Sequence, residues 1–159
     1  MKWPDDLADW PMADVSRKVL CRPHRWHVQD AGTGDTILLI HGAGGATQSW
    51  RGIFPLLAQT HRVIAIDLPG QGFTEIGARG RCGLRHMAED IAALMDKENI
   101  QPKTIIGHAA GAATVHSLLV AHLSDLQDAV LTMPNAPGTV PDIFSPVDVE
   151  LCVETVDWT

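Results

Sequence analysis

Gly107-His108-Ala109-Ala110-Gly111 is the stretch in which residue types and spacing come closest to a reaction site. A β-branched apolar run, Thr104 to Ile106, enters it and an Ala-rich segment leaves it, which reads as strand, sharp turn and helix. Glycines two before and two after a central residue let strand and helix close around it, as in the G-x-S-x-G turn that presents a nucleophilic hydroxyl. Here the central residue is Ala109, whose methyl group cannot attack a carbonyl or give up a proton. With 14 glycines in 159 residues, a pair spaced in this way arises about once by chance. The motif therefore gains weight only from the elements that would position it.

Those elements form a series. Residues 16–20 and 25–29, separated by a turn containing Pro23, read as an opening hairpin. Thr36–Ile40, TILLI, is a continuous apolar run, the pattern of a strand covered on both faces, and ends at His41-Gly42-Ala43-Gly44-Gly45. Trp50, Ile53, Phe54 and Leu57 recur at helical spacing and predict one helix over 49–59. Arg62–Ile66 is a second buried strand, ended by Asp67-Leu68-Pro69-Gly70-Gln71-Gly72. A Gly- and Arg-rich loop at 77–83 precedes a helix over 84–95, with Leu84, Met87, Ala88, Ile91 and Leu94 on one face. A third helix over 112–123 and a strand over 129–133 follow the Ala109 turn. Alternation of this kind gives an α/β fold: a mainly parallel sheet with helices on both faces. In such sheets chemistry sits beyond the carboxyl ends of the strands, where all three glycine-rich segments fall.

Composition narrows the function classes. Hydrophobic residues at 45% and charged residues at 19% describe a globular chain, and a net charge of -7 argues against a nucleic-acid partner. Pro, Asp and Trp dominate the first 15 residues, which lack the apolar core of a signal peptide. No apolar run approaches 18 residues, so no transmembrane segment is expected. Cys21, Cys82 and Cys152 are odd in number and far apart, which fits neither a disulfide framework nor metal spacing, and a cytoplasmic location is the expectation. The eight histidines are scattered; no metal and no cofactor is expected. A phosphate-binding reading of His41–Gly45 fails because no Lys-Ser/Thr follows and Gly42, Gly44 and Thr47 miss G-x-G-x-x-G.

With these residues assembled, the chain resembles the α/β-hydrolase family from about Ser16 to Met133. HGAGG resembles the family's H-G-x-G oxyanion loop, DLPGQG its D-x-P-G-x-G turn, and GHAAG stands where G-H-S-x-G belongs. RWHVQ, HGAGGATQSWR, DLPGQGFT and the GHAAGAA segment further resemble one branch, the magnesium chelatase accessory proteins of bacteriochlorophyll synthesis. The resemblance implies that the backbone N–H groups of Ala43 and Ala110, with Gly44 beside them, bind an oxyanion. It makes His41, Gly42, Gly107, His108 and Gly111 the scaffold of loop and elbow. It also implies a small apolar or ester-like ligand, or a chelatase or pigment-synthesis partner.

Two departures qualify the implied activity. Ala109 replaces the nucleophile, and the base expected after it in chain order has no clear candidate. His116 and His122 are the only later histidines, and both fall in the helix leaving the elbow. Asp142, Asp148 and Glu150 read as surface charge. The organisation expected is an N-terminal extension (1–15), a partial hydrolase domain (16–133) truncated after its sixth strand, and an irregular tail (134–159). A catalytically inactive hydrolase-fold protein is the first reading; an incomplete or mutated copy of a serine esterase and a ligand- or partner-binding module are the alternatives.

Overall fold

A computed structural model describes residues 1–122 and 128–132. Six strands form one mixed sheet: β1 (Ser16–Cys21), β2 (His24–Ala31), β3 (Thr36–Ile40), β4 (Arg62–Ile66), β5 (Thr104–His108) and β6 (Asp128–Thr132), in the order β1-β2-β4-β3-β5-β6. The β1–β2 hairpin is antiparallel and joins β4 antiparallel, whereas β4, β3, β5 and β6 run parallel. The apolar run of β3 is buried at all five positions, as a strand covered on both faces requires.

Alternation along β3 and β4 divides the core into two. Leu38, Ile40, Ile64 and Ile66 face a cluster completed by α2 (Leu84–Glu98) and α3 (Ala110–His122). Ile37, Leu39, Val63 and Ala65 face the opposite cluster with Trp50 and with Phe54 of α1 (Phe54–Leu57). Helices therefore cover both faces, as the α/β reading expects. α2 buries Ala88, Ile91, Leu94 and Met95. At about 1.5–3 kcal/mol per large apolar side chain, this packing outweighs intrinsic propensity in fixing the helix. Asn99, in the left-handed conformation, ends α2, and Ile100 N–H donates to the Met95 carbonyl at 2.8 Å.

Several boundaries differ from the sequence reading. The single helix expected over 49–59 is instead a 3₁₀ turn, Thr47–Trp50, followed by the one-turn α1. Gly52 and the ring of Pro55, which supplies no N–H, interrupt continuous helical hydrogen bonding there. α2 runs three residues past 95, and Leu84, placed on its apolar face, is 44% exposed. α3 begins at Ala110 rather than 112, and β6 spans 128–132 rather than 129–133. The 134–159 tail, with Asp142, Asp148 and Glu150, lies outside the described residues.

Residues 1–15 pack against the sheet end. Trp3 and Trp10 meet the ring of Phe73 at 5.7 and 4.9 Å between centroids, and the Trp10 indole N–H donates to Thr47 Oγ1 at 3.0 Å. On the other side, buried His24 accepts the Gly77 N–H at Nδ1 (3.2 Å) and donates through Nε2 to Asp90 of α2 (2.9 Å). Arg81 adds bonds to Asp90 and Glu89, so the Gly- and Arg-rich loop is tied to both β2 and α2.

Candidate active site

The turns after β3, β4 and β5 meet at the carboxyl end of the parallel strands. The chain passes from β3 to β4 on one side and returns to β5 on the other, which leaves a crevice where the strand order switches. Ala109 occupies the turn after β5 with φ +51, a left-handed conformation that residues with a side chain rarely adopt. Its carbonyl accepts the Ala112 N–H at 2.9 Å, so the strained residue leads directly into the first turn of α3. The flanking glycines allow this. A Cβ on Gly107 would lie 2.8–2.9 Å from Val115 and Ala112, and one on Gly111 would overlap the carbonyl of Ile40. Strand, elbow and helix thus pack backbone to backbone around a methyl group where a nucleophile could stand.

The loop after β3 lies against this elbow. A Cβ on Gly42 would approach both the Ala109 methyl group and the His108 carbonyl oxygen to 3.0 Å. Gly45 N–H donates to the Gly42 carbonyl at 3.0 Å, closing a four-residue turn with Ala43 and Gly44 at its centre. His41, fully buried, has both ring nitrogens engaged. Nε2 accepts the Leu68 N–H at 2.9 Å, which leaves the proton on Nδ1 to be donated to the Gly42 carbonyl at 2.7 Å. Burial lowers its pKa below the ordinary histidine value despite the Gly42 carbonyl and Asp67, so the neutral tautomer is favoured.

Asp67, the first residue of the turn after β4, links three segments. Its buried carboxylate accepts the N–H groups of Thr47 (2.6 Å) and Phe73 (2.8 Å), and Nδ1 of His27 lies 2.7 Å away. The same turn sends the Gln71 side chain across to the oxyanion loop, where Oε1 accepts the Gly44 N–H at 2.7 Å. In the sequence, Asp67 and Gln71 read only as parts of a glycine turn. The long spacing between Gln71 and Gly44 left no local signal for their contact.

His41, Gly42, Ala43, Gly44, Gly107, His108, Ala109, Ala110 and Gly111 are therefore brought to one place by β3, β5 and the start of α3. His116 and His122 are carried away along α3, and their side chains lie outside the described residues. Among the described residues no group of three His, Cys, Asp or Glu side chains could hold a metal ion. Nor is any described helix long and apolar enough to cross a membrane.

Comparison with known proteins agrees with this geometry. The family model described as alpha/beta hydrolase fold matches residues 35–152. A magnesium-chelatase 30 kDa subunit from Rhodobacter capsulatus is 41% identical over 108 residues, 67% of this chain and 38% of that protein. A 2-hydroxy-6-oxo-6-(2'-aminophenyl)hexa-2,4-dienoic acid hydrolase from Metapseudomonas resinovorans is 36% identical over 72% of this chain and 40% of its own. Among solved structures, the epoxide hydrolase VrEH1 from Vigna radiata aligns with a TM-score of 0.68 and 28% identity, covering 77% of this chain and 40% of that one. The chain thus spans about two fifths of the length of these relatives. With the family model covering most of its length and the strand ends, elbow and loop arranged as described, the chain belongs to the α/β-hydrolase fold family.

Proposed function

We propose that this chain is a catalytically inactive α/β-hydrolase-fold protein of the magnesium-chelatase accessory type, which holds a small ester-like or anionic ligand without cleaving it. The reading rests on Ala109: the elbow keeps the left-handed backbone at φ +51, yet the residue there has no hydroxyl. A strained backbone costs on the order of 1–3 kcal/mol and persists only where its surroundings enforce it. Its retention around a methyl group fits a site kept for binding.

In this reading the backbone N–H groups of Ala43 and Ala110 donate to an oxygen of the ligand, since backbone donors depend on loop geometry and not on side chains. Neutral His41 and the glycines of loop and elbow hold that geometry. The 41% identity to a magnesium-chelatase subunit supports a role beside a chelatase or another pigment-synthesis component, and the three widely spaced cysteines favour the cytoplasm as its place. Relatives named as hydrolases of a 2-hydroxy-6-oxo-dienoic acid and of 2-hydroxymuconate semialdehyde favour the second reading, an incomplete or mutated copy of a serine hydrolase.

Phenylphosphonate, added to the ¹⁵N-labelled chain, tests the binding claim. The amides of Ala43 and Ala110 should shift in a saturable manner, while p-nitrophenyl acetate is hydrolysed no faster than in buffer. Ester turnover with a fluorophosphonate-sensitive burst would refute the inactive reading.

A further inference from the structure

We propose that Gln71 is a positioning residue for the oxyanion loop: its side-chain carbonyl selects the orientation of the Ala43–Gly44 peptide and so prepares the site for an anionic ligand. The inference rests on the function proposed above and adds the residue that sets its affinity. The turn Gly42–Gly45 is closed by the Gly45 N–H to Gly42 carbonyl bond, and Gly44 at its third position has φ +75, the signature of a type II turn. Types I and II differ by a flip of the central peptide, here Ala43–Gly44. Glycine tolerates both orientations, so its own sterics do not choose between them.

Packing does not choose either. A Cβ placed on Gly44 would meet nothing within 4 Å, so this tip of the loop projects into open space. The Gly44 N–H is instead held by Gln71 Oε1 at 2.7 Å. Gln71 is itself fixed: its N–H donates to the Leu68 carbonyl (2.9 Å), its carbonyl accepts the Thr74 N–H (3.0 Å), and Asp67 anchors the loop through Phe73. A peptide flip would break the Gln71 bond and turn the Ala43 carbonyl toward the position now taken by the Gly44 donor. That change alters the backbone of Ala43, the residue proposed to donate.

Two variants separate this role from general stability. Gln71→Met keeps the length of the side chain and removes the acceptor; Gln71→Glu keeps an acceptor and adds a negative charge. In ligand-free ¹⁵N spectra, Gln71→Met should accelerate exchange of the Gly44 amide and shift the Ala43 amide, whereas Gln71→Glu should leave Gly44 protected. Phenylphosphonate should bind Gln71→Met about fivefold more weakly, the equivalent of one ordinary hydrogen bond. Gln71→Glu should bind it more weakly still, through charge repulsion, with the loop in its parental state. If the Ala43 and Gly44 amides of Gln71→Met match the parent, Gln71 positions nothing and the inference is overturned, whether or not phosphonate binds. Should the parent bind no phosphonate while the Met variant still disturbs Ala43, the positioning role stands and the anion-binding function fails.

Discussion

A methyl group on Gly111 would overlap the carbonyl oxygen of Ile40, at the end of the neighbouring parallel strand. The carbonyl of His41 would lie only 2.6 Å from the same methyl. Both obstacles are backbone, and Ile40 is locked in register with Ile66 on one side and Gly107 on the other. Neither can yield without disturbing the sheet. Gly111→Ala should therefore destabilise the fold by about 3 kcal/mol, the upper part of the usual range for overpacking. Urea denaturation of the parent and variant chains measures this; a loss under 1 kcal/mol would mean that α3 can shift away from β3.

Asp67 offers a second test through hydrogen-bond accounting. Asp67→Ala strands the N–H groups of Thr47 and Phe73 and the ring nitrogen of His27, all facing a fully buried carboxylate. Each unsatisfied buried donor costs about 1–3 kcal/mol, so a total loss of roughly 3–5 kcal/mol is expected after partial relaxation. Asp67→Asn keeps acceptor capacity on one oxygen and should lose less. Thermal unfolding followed by circular dichroism should rank them parent, Asn, Ala.

The pH dependence of stability follows from His41. Burial lowers its folded pKa below the ordinary 6.5, so the unfolded chain takes up a proton more readily than the native one. The stability contributed by the neutral ring is complete above pH 6.5. It declines as the pH falls from there toward the lowered folded value. A His41→Asn variant, less stable overall, should lose less on going from pH 8 to pH 5.5 than the parent does. Equal losses by urea titration at the two pH values would show that His41 stays accessible to protons.

Ala109 should be more stable as glycine. A non-glycine residue in the left-handed region costs roughly 1–2 kcal/mol, and Gly adopts φ +51 freely, though it gains entropy in the unfolded chain. The net expectation for Ala109→Gly is a gain of a few tenths to about 1 kcal/mol in urea denaturation. A loss would indicate that contacts of the Ala109 methyl group, close to the Gly42 backbone, outweigh the strain.

How far the sequence revealed these relationships depended on their range. β3 and β4 were legible because continuous apolar runs mark strands buried on both faces, and β5 because the β-branched run Thr104 to Ile106 stops at Gly107. The elbow was legible because Gly107 and Gly111 bracket Ala109 at fixed spacing. By contrast, the break between Trp50 and Phe54 was hidden, since the apolar spacing is helical while Gly52 and Pro55 act on the backbone. The Gln71–Gly44 bond was hidden for a different reason: it joins residues 27 apart through a side chain with no special chemistry. His27 likewise sits in an unremarkable strand pattern, and only the fold brings it to Asp67.

Restoring the hydroxyl separates the loss of one residue from the loss of a catalytic set. Ala109→Ser places an oxygen at the elbow with the backbone already in the left-handed conformation, so the nucleophile position is geometrically complete. Activation requires a base within hydrogen-bond reach. His41 has both ring nitrogens engaged, with the Leu68 N–H and the Gly42 carbonyl, and α3 carries His116 and His122 away from the turn. An unassisted serine is a weak nucleophile at its free pKa, and triad members act as a unit, so one of them recovers little alone. Hydrolysis of p-nitrophenyl acetate by the 159-residue Ala109→Ser chain should therefore stay within about tenfold of the parent. Adding His116→Ala or His122→Ala in that background should change nothing. A gain of several orders of magnitude that disappears with either histidine would place the base on α3 and overturn the inactive reading.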